Sequence, residues 1–222
     1  MTKRMIIPLI FGLVGCAILL SLGTWQVKRL AWKEGILAEI EQEIAAASVA
    51  LPAAPTLEEH KYLPVKTKGS FTADELHVLF SIKNQGAGYR VISKFLTEDG
   101  RAILVDRGFV PTDRKVEDRA ATDITLQGNL HWPNEIDSFT PEPDIAKNIW
   151  FARDIPAMAA QLGTEEILIV ARSGTPGVQP VPVTATGIPN DHLQYAITWF
   201  LLAIAWAGMT AYLLWRIRQR TV

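Results

Sequence analysis

The 222-residue chain has one cysteine, and that scarcity excludes a good deal. Cys16 lies in the first apolar run, so the rest of the chain can form no internal disulfide and offers no thiolate pair for copper or zinc. There is no GxSxG elbow, HExxH helix or P-loop, and the histidines, His60, His77, His131 and His192, lie far apart in sequence. Those absences lower an enzymatic reading. They leave open a membrane-tethered hydrolase whose triad the fold would bring together among His60, His77 or His131. Charge of one sign is also missing where nucleic acid would need it: the formal net charge is -1, and no basic cluster stands ready to neutralise phosphates. Internal repeats and low-complexity blocks are absent as well.

Long apolar runs are present, and there are two of them. No charge occurs from Ile6 to Leu22, about 17 residues, or from Tyr195 to Trp215, about 21. A helix of roughly 20 apolar residues spans a ~30 Å hydrocarbon core. The first run is followed by Trp25, Lys28 and Arg29, an interfacial aromatic and basic edge, and no small-x-small cleavage site is convincing. It therefore reads as an uncleaved signal-anchor, and Met1 to Arg4 is too short for an organelle presequence. Lys3 and Arg4 precede the first run, while Arg216, Arg218 and Arg220 follow the second, and neither tail carries an acid. The positive-inside rule places both termini in the cytoplasm. The loop between them holds all 23 acidic residues and 17 of the 22 basic ones, and it faces the periplasm of a bacterial inner membrane.

The expected fold class is an integral membrane α+β protein, with two transmembrane helices flanking one periplasmic, mainly antiparallel β domain. Its segments are a cytoplasmic tail (1–5), transmembrane helix 1 (6–24), a helical extension (25–47), a linker (48–60), the periplasmic α+β domain (61–172), a connector (173–191), transmembrane helix 2 (192–215) and a second cytoplasmic tail (216–222). Apolar residues at helical spacing from Trp25 to Ile44 support the extension, and Pro52 and Pro55 end it. Strands are expected at 62–70, 76–82, 89–97, 102–110, 124–131 and 167–171, with a hairpin turn at Glu98 to Gly100. One helix is expected from Arg153 to Gly163.

His192 stands out among the titratable residues because Asn190 and Asp191 are N-cap types, which start the second helix there. Tyr195 and Trp199 follow three and seven residues on, nearly on one face. Two readings are open: an interfacial polar residue with aromatic anchors, or an axial ligand for haem iron lined by flat aromatic side chains. Lys28 and Arg29 emerge from the first helix at similar depth, to contact headgroups or to pair with an anionic ligand group such as a haem propionate. Arg107 before Gly108, in "LVDRGFVP", is either an ion-pair partner of Asp106 or Asp113 or a binding residue.

Three stretches, "LGTWQVKRLAWKEGIL" (22–37), "ILVDRGFVP" (103–111) and "NDHLQYAITWFLLA" (190–203), together resemble the Surfeit-locus protein family of cytochrome c oxidase assembly factors. The pattern rests on Trp25, Gln26 and Arg29, on Arg107 with Gly108, and on His192 with Tyr195 and Trp199, over essentially the whole chain. This chain has Asp191 and Gln194 around the histidine where the family usually has Asn and a small residue, and Phe109 where it commonly has Trp. The resemblance implies a non-catalytic factor that binds haem a and aids its insertion into the catalytic subunit of a haem-copper oxidase. His192 would ligate the iron, and Trp25, Lys28, Arg29, Tyr195 and Trp199 would contact the cofactor. Implied partners are that oxidase subunit, the haem A supply machinery and the lipid bilayer, with no nucleic acid. The competing reading keeps the assembly role without haem, as a scaffold for an oxidase intermediate. A two-helix sensor is weaker, because the tail after Trp215 leaves no room for an output domain.

Overall fold

The computed structural model describes residues 3–219, so Arg220 of the second basic tail lies outside the described residues, as does the Lys3 side chain. The chain divides into two compact units, residues 1–39 with 185–222, and Ile40–Thr184.

The first unit holds two long helices. α1 runs Lys3–Ala45, beyond the unit boundary, and α4 runs His192–Gln219. Both are long and apolar enough to cross a membrane, by length and composition. Their outward faces carry large exposed apolar side chains such as Ile7, Phe11, Leu201 and Ile204. The facing sides follow a period near 3.5, with Gly12, Cys16, Gly23 and Gln26 on α1 against Thr210, Ala203, Phe200 and His192 on α4. That period keeps one seam of each helix turned to the other. The small residues on α1 make room for large ones on α4: a Cβ on Gly15 would collide with the Trp206 indole, and one on Gly23 would strike the Phe200 ring. Trp206 Nε1 donates to Gly12 O at 3.2 Å, and the Cys16 thiol lies 4.0 Å from Ala203 O. The pairing runs antiparallel, as the register of these contacts shows.

The second unit is a six-stranded mixed sheet. Its strands are β1 Val49–Ala50, β2 Pro64–Ile82, β3 Gly86–Thr97, β4 Ala102–Pro111, β5 Ala121–Leu130 and β6 Leu168–Ser173. A one-turn helix α2 (Leu57–His60) follows β1, and α3 (Ile155–Leu162) precedes β6. The order is β1-β2-β3-β4-β6-β5, and a further β2–β5 pairing closes it. Strands β2, β3 and β4 form an antiparallel meander, and β5 returns beside β2, which is the Greek-key order. β6 then fills the gap, antiparallel to β5 and parallel to β4.

Side-chain alternation sorts the interior. Ile103, Val105, Ile169 and Ala171 point into the barrel with Val65, Phe95, Leu126 and Leu130. Their neighbours Leu104, Leu168 and Val170 face outward and are covered by Met158, Ile155 and Ala159 of α3 and by Trp150. α3 is capped by Asp154, whose side chain accepts from Ala157 N, and ends at Gly163 in the left-handed conformation at φ 61°. The last turn of α1 is tied down within this unit: Ile44 O accepts from Asn129 Nδ2 at 3.0 Å and Arg172 Nη1 at 3.2 Å.

Differences from the sequence expectation are local. The expected strands 62–70 and 76–82 are one strand, β2, with a register shift between Phe71 and Glu75. The break expected between those two strands is a bulge, and β2 pairs chiefly with β5 before it and with β3 both before and after it. The stretch expected to be linker contains β1 and α2.

Candidate functional site

The histidine at the start of α4 sits where the two helices of the first unit face each other. Asp191 precedes the helix, and its carbonyl accepts from Tyr195 N at 3.2 Å. His192 is half-buried, and its Nδ1 lies 2.8 Å from Oε1 of Gln26 on α1. Gln26 is itself buried at 9% exposure. The Nε2 nitrogen has no hydrogen-bond partner among the described residues. Two residues upstream, the side-chain oxygen of Asn190 is buried and also unpartnered.

Helix geometry fixes what surrounds this pair. At about 100° per residue, Trp25 and Arg29 fall on one flank of Gln26, and in the antiparallel partner Tyr195 and Trp199 fall on that same flank of His192. Trp25 and Tyr195 are both more than half exposed, at 55% and 56%. Trp199 is half-buried, close to the seam. Arg29 stacks its guanidinium over the Trp32 ring, 3.8 Å from the centroid. Lys28 is exposed and lies nearly opposite Gln26 on the helix, so it is not brought to this flank. The result is a flat aromatic and cationic flank beside an imidazole with one available nitrogen. That donor set fits a haem iron: neutral imidazole is a common haem ligand, and its second nitrogen is ordinarily held by a hydrogen bond. Among the described residues there is no group of three or more His, Cys, Asp or Glu that could hold a bare metal ion.

Arg107 and Gly108 belong to the other unit and do a different job. The register shift in the β3–β4 ladder skips Arg107: Ile92 faces Asp106 and Val91 faces Gly108. Alternation along β4, with Ile103 and Val105 inward, carries on to Arg107, whose side chain is fully buried inside the barrel, over the Phe71 ring at 4.1 Å. Its Nη1 and Nη2 donate to Arg119 O and Pro176 O, each at 2.8 Å. Burial pulls the guanidinium down to about 10, so it remains charged at neutral pH. Neither Asp106 nor Asp113 pairs with it, contrary to the expectation from sequence. Buried Asp106 instead takes Arg90 and Arg153, and its other oxygen accepts from Gly108 N at 3.1 Å. Gly108 has φ 115°, and a Cβ there would meet the backbone of Gln179 and Pro180. The Arg-Gly pair is thus a fixture of the barrel.

The remaining histidines are held by packing and hydrogen bonds. His77 is buried between Glu75, at 3.0 Å from Nε2, and Asn148, at 3.1 Å from Nδ1, and Glu75 also accepts from Arg119 at 2.6 Å. His131 stacks on Tyr62, and burial, followed by the nearby Arg153 charge, lowers it to about 4. Among the described residues no triad joins them: His60 Nδ1 accepts from Thr56 N in its own helical turn.

Comparison with known proteins adds a second line of observation. The family model described as the SURF1 family matches residues 13–204, a stretch that includes Gln26, Arg107, Gly108 and His192. The chain is 33% identical over 220 residues to Surfeit locus protein 1 of Rattus norvegicus, covering 88% of this chain and 71% of the relative. It is 34% identical over 210 residues to Surfeit locus protein 1 of Homo sapiens, covering 83% and 70%. A SURF1-like protein of Rickettsia felis is 30% identical over 206 residues, covering 87% of this chain and 90% of the relative.

Proposed function

Because the chain belongs to the SURF1 family, we propose that it is a non-catalytic assembly factor for a haem-copper cytochrome c oxidase. In this role it binds haem a through His192 at the mouth of its helix pair and aids insertion of the haem into the catalytic subunit. The observation that carries this reading is the His192 imidazole, half-buried, with Nδ1 held by Gln26 and Nε2 left available. When bound, haem a would supply an iron able to take a nitrogen ligand and an anionic edge of propionates. His192 provides the nitrogen. Trp25, Tyr195 and Trp199 provide apolar faces on one flank, and Arg29, on the same flank, provides charge for a propionate. Lys28 would contact lipid headgroups.

The membrane setting follows from the same reading. α1 and α4 span a bacterial inner membrane with both termini cytoplasmic, and the barrel unit lies in the periplasm. Exposed apolar side chains along both helices and the basic residues Arg4, Arg216 and Arg218 at their far ends support that orientation. A strongly hydrophobic cofactor destined for a membrane subunit is then held at the bilayer edge, where it need not cross water. The oxidase subunit and the haem A supply machinery are the partners this route requires.

The test is made in cells. Oxidase is isolated from a strain lacking the chain and from the same strain carrying wild-type or His192→Ala protein, and haem a per catalytic subunit is measured. The proposal expects full occupancy with wild type and a several-fold loss with His192→Ala. Equal occupancy with and without the chain contradicts it. Full restoration by His192→Ala supports the haem-free scaffold instead.

A further inference from the structure

A neutral imidazole has one ring proton, and the neighbour of each nitrogen decides which one carries it. His192 Nδ1 faces the side-chain oxygen of Gln26 at 2.8 Å. An amide oxygen can only accept, so Nδ1 carries the proton and donates it, and Nε2 keeps its lone pair. With the Gln26 oxygen turned to the ring as the structure has it, the alternative tautomer would set two lone pairs against each other and leave that oxygen unpaired. Gln26 is 9% exposed, which keeps water from replacing the donor. A buried unsatisfied acceptor of this kind shifts such an equilibrium roughly tenfold to hundredfold.

The contact also joins the two helices: its partners are 166 residues apart in sequence and occupy facing seam positions. Below it, Gly23 is packed by Phe200 and Gly12 by Thr210, so the seam sets the Gln26 amide at a fixed height against His192. Ring orientation and ring protonation are therefore set by α1, not by α4, which carries the histidine.

We propose that Gln26 is a positioning residue that holds His192 as its Nδ1–H tautomer and turns the unprotonated Nε2 outward as a ligand for a porphyrin iron. The last step rests on His192 being a haem ligand, whereas the tautomer assignment rests only on the Gln26 oxygen facing the ring. A carbonyl accepting the far proton makes an imidazole a better donor to metal.

The experiment uses the full chain in lipid nanodiscs, labelled with ¹⁵N-histidine, without haem, at a pH well above the ordinary histidine range. Nitrogen chemical shifts separate protonated from unprotonated ring nitrogens, and the His192 signals are identified by their loss in His192→Ala. Wild type should show Nδ1–H. Gln26→Met, of similar length but without the oxygen, should shift His192 towards Nε2–H, and Gln26→Glu, which keeps an acceptor, should retain Nδ1–H. Titration with haem A should then give binding weakened about 10- to 100-fold in Gln26→Met and largely restored in Gln26→Glu. Nε2–H in the wild type, or Nδ1–H that persists in Gln26→Met, overturns the assignment. Tautomers that behave as stated while no variant, wild type included, binds haem A would sink the ligand role of His192 and leave Gln26 only as its tautomer-setting partner.

Discussion

Alanine at Gly108 should destabilise the barrel far more than alanine at Gly100, although both glycines have positive φ. Gly108 has φ 115° and Gly100 φ 86°, and a non-glycine in such a conformation costs roughly 1–3 kcal/mol. At Gly100, in the β3–β4 turn, a Cβ meets nothing within 4 Å, so the backbone cost stands alone. At Gly108 the Cβ would run into Gln179 O and lie 2.7 Å from Pro180 Cα. Those are backbone atoms and cannot rotate away. Moving them breaks the bridge in which Phe109 N donates to Gln179 O at 2.7 Å and Gln179 N donates to Phe109 O at 3.1 Å. Two such bonds contribute about 0.5–1.5 kcal/mol each. The same shift strains the Asp106 contact to Gly108 N and the Arg107 contact to Pro176 O. Gly108→Ala should therefore cost about 2–6 kcal/mol against about 1–3 kcal/mol for Gly100→Ala. The assay is urea unfolding of the full chain in detergent, followed by hydrogen exchange in peptides covering β3 and β4. A Gly108→Ala protein no less stable than Gly100→Ala would refute the account of the Arg107-Gly108 pair as a structural fixture.

Acid should weaken the barrel through His131. Burial, then the Arg153 charge, lowers it to about 4 in the folded chain, against 6.5 ordinarily. Between pH 6.5 and about 4 the unfolded chain binds a proton that the folded chain does not, so stability falls over that window and levels off below it. The drop is at most about 3 kcal/mol, and urea unfolding against pH should show a shallower slope in His131→Phe. The helix pairing is tested with the native thiol: Ala203→Cys should cross-link to Cys16 within one chain on mild oxidation, because the thiol already lies 4.0 Å from Ala203 O. Failure to cross-link in a protein with both thiols reactive would contradict the seam.

What the sequence made legible is what local pattern controls. β3 and β4 were readable because β-branched runs flank Glu98 to Gly100, whose Gly100 supplies the positive φ of the turn. α3 was readable from Asp154 and Gly163, which cap it. Closure of the barrel was not readable. The β2–β5 and β4–β6 pairings join strands distant in sequence, and neither leaves a local periodicity. β2 hid its length because a polar bulge looks like a turn until its partners on both sides are known. At the site, His192 was visible as the first residue of an apolar helix after two capping residues. Gln26 was visible only as part of a family pattern. Its partner is set by the antiparallel register of two helices, which no single helix's periodicity encodes. For Arg107 the ion-pair alternative fails for a related reason: a charged residue beside Asp106 suggests a pair, but adjacent strand residues point to opposite faces, and Asp106 finds Arg90 and Arg153 on its own side.

The most direct test of the central claim is the visible absorption spectrum of the protein purified in detergent from cells that make haem A, beside His192→Ala. Haem a binding through His192 gives a haem a spectrum in the wild type that is lost or strongly weakened in the variant, with both proteins folded. Haem a of equal intensity in both, or in neither while the oxidase subunit still co-purifies, would contradict it.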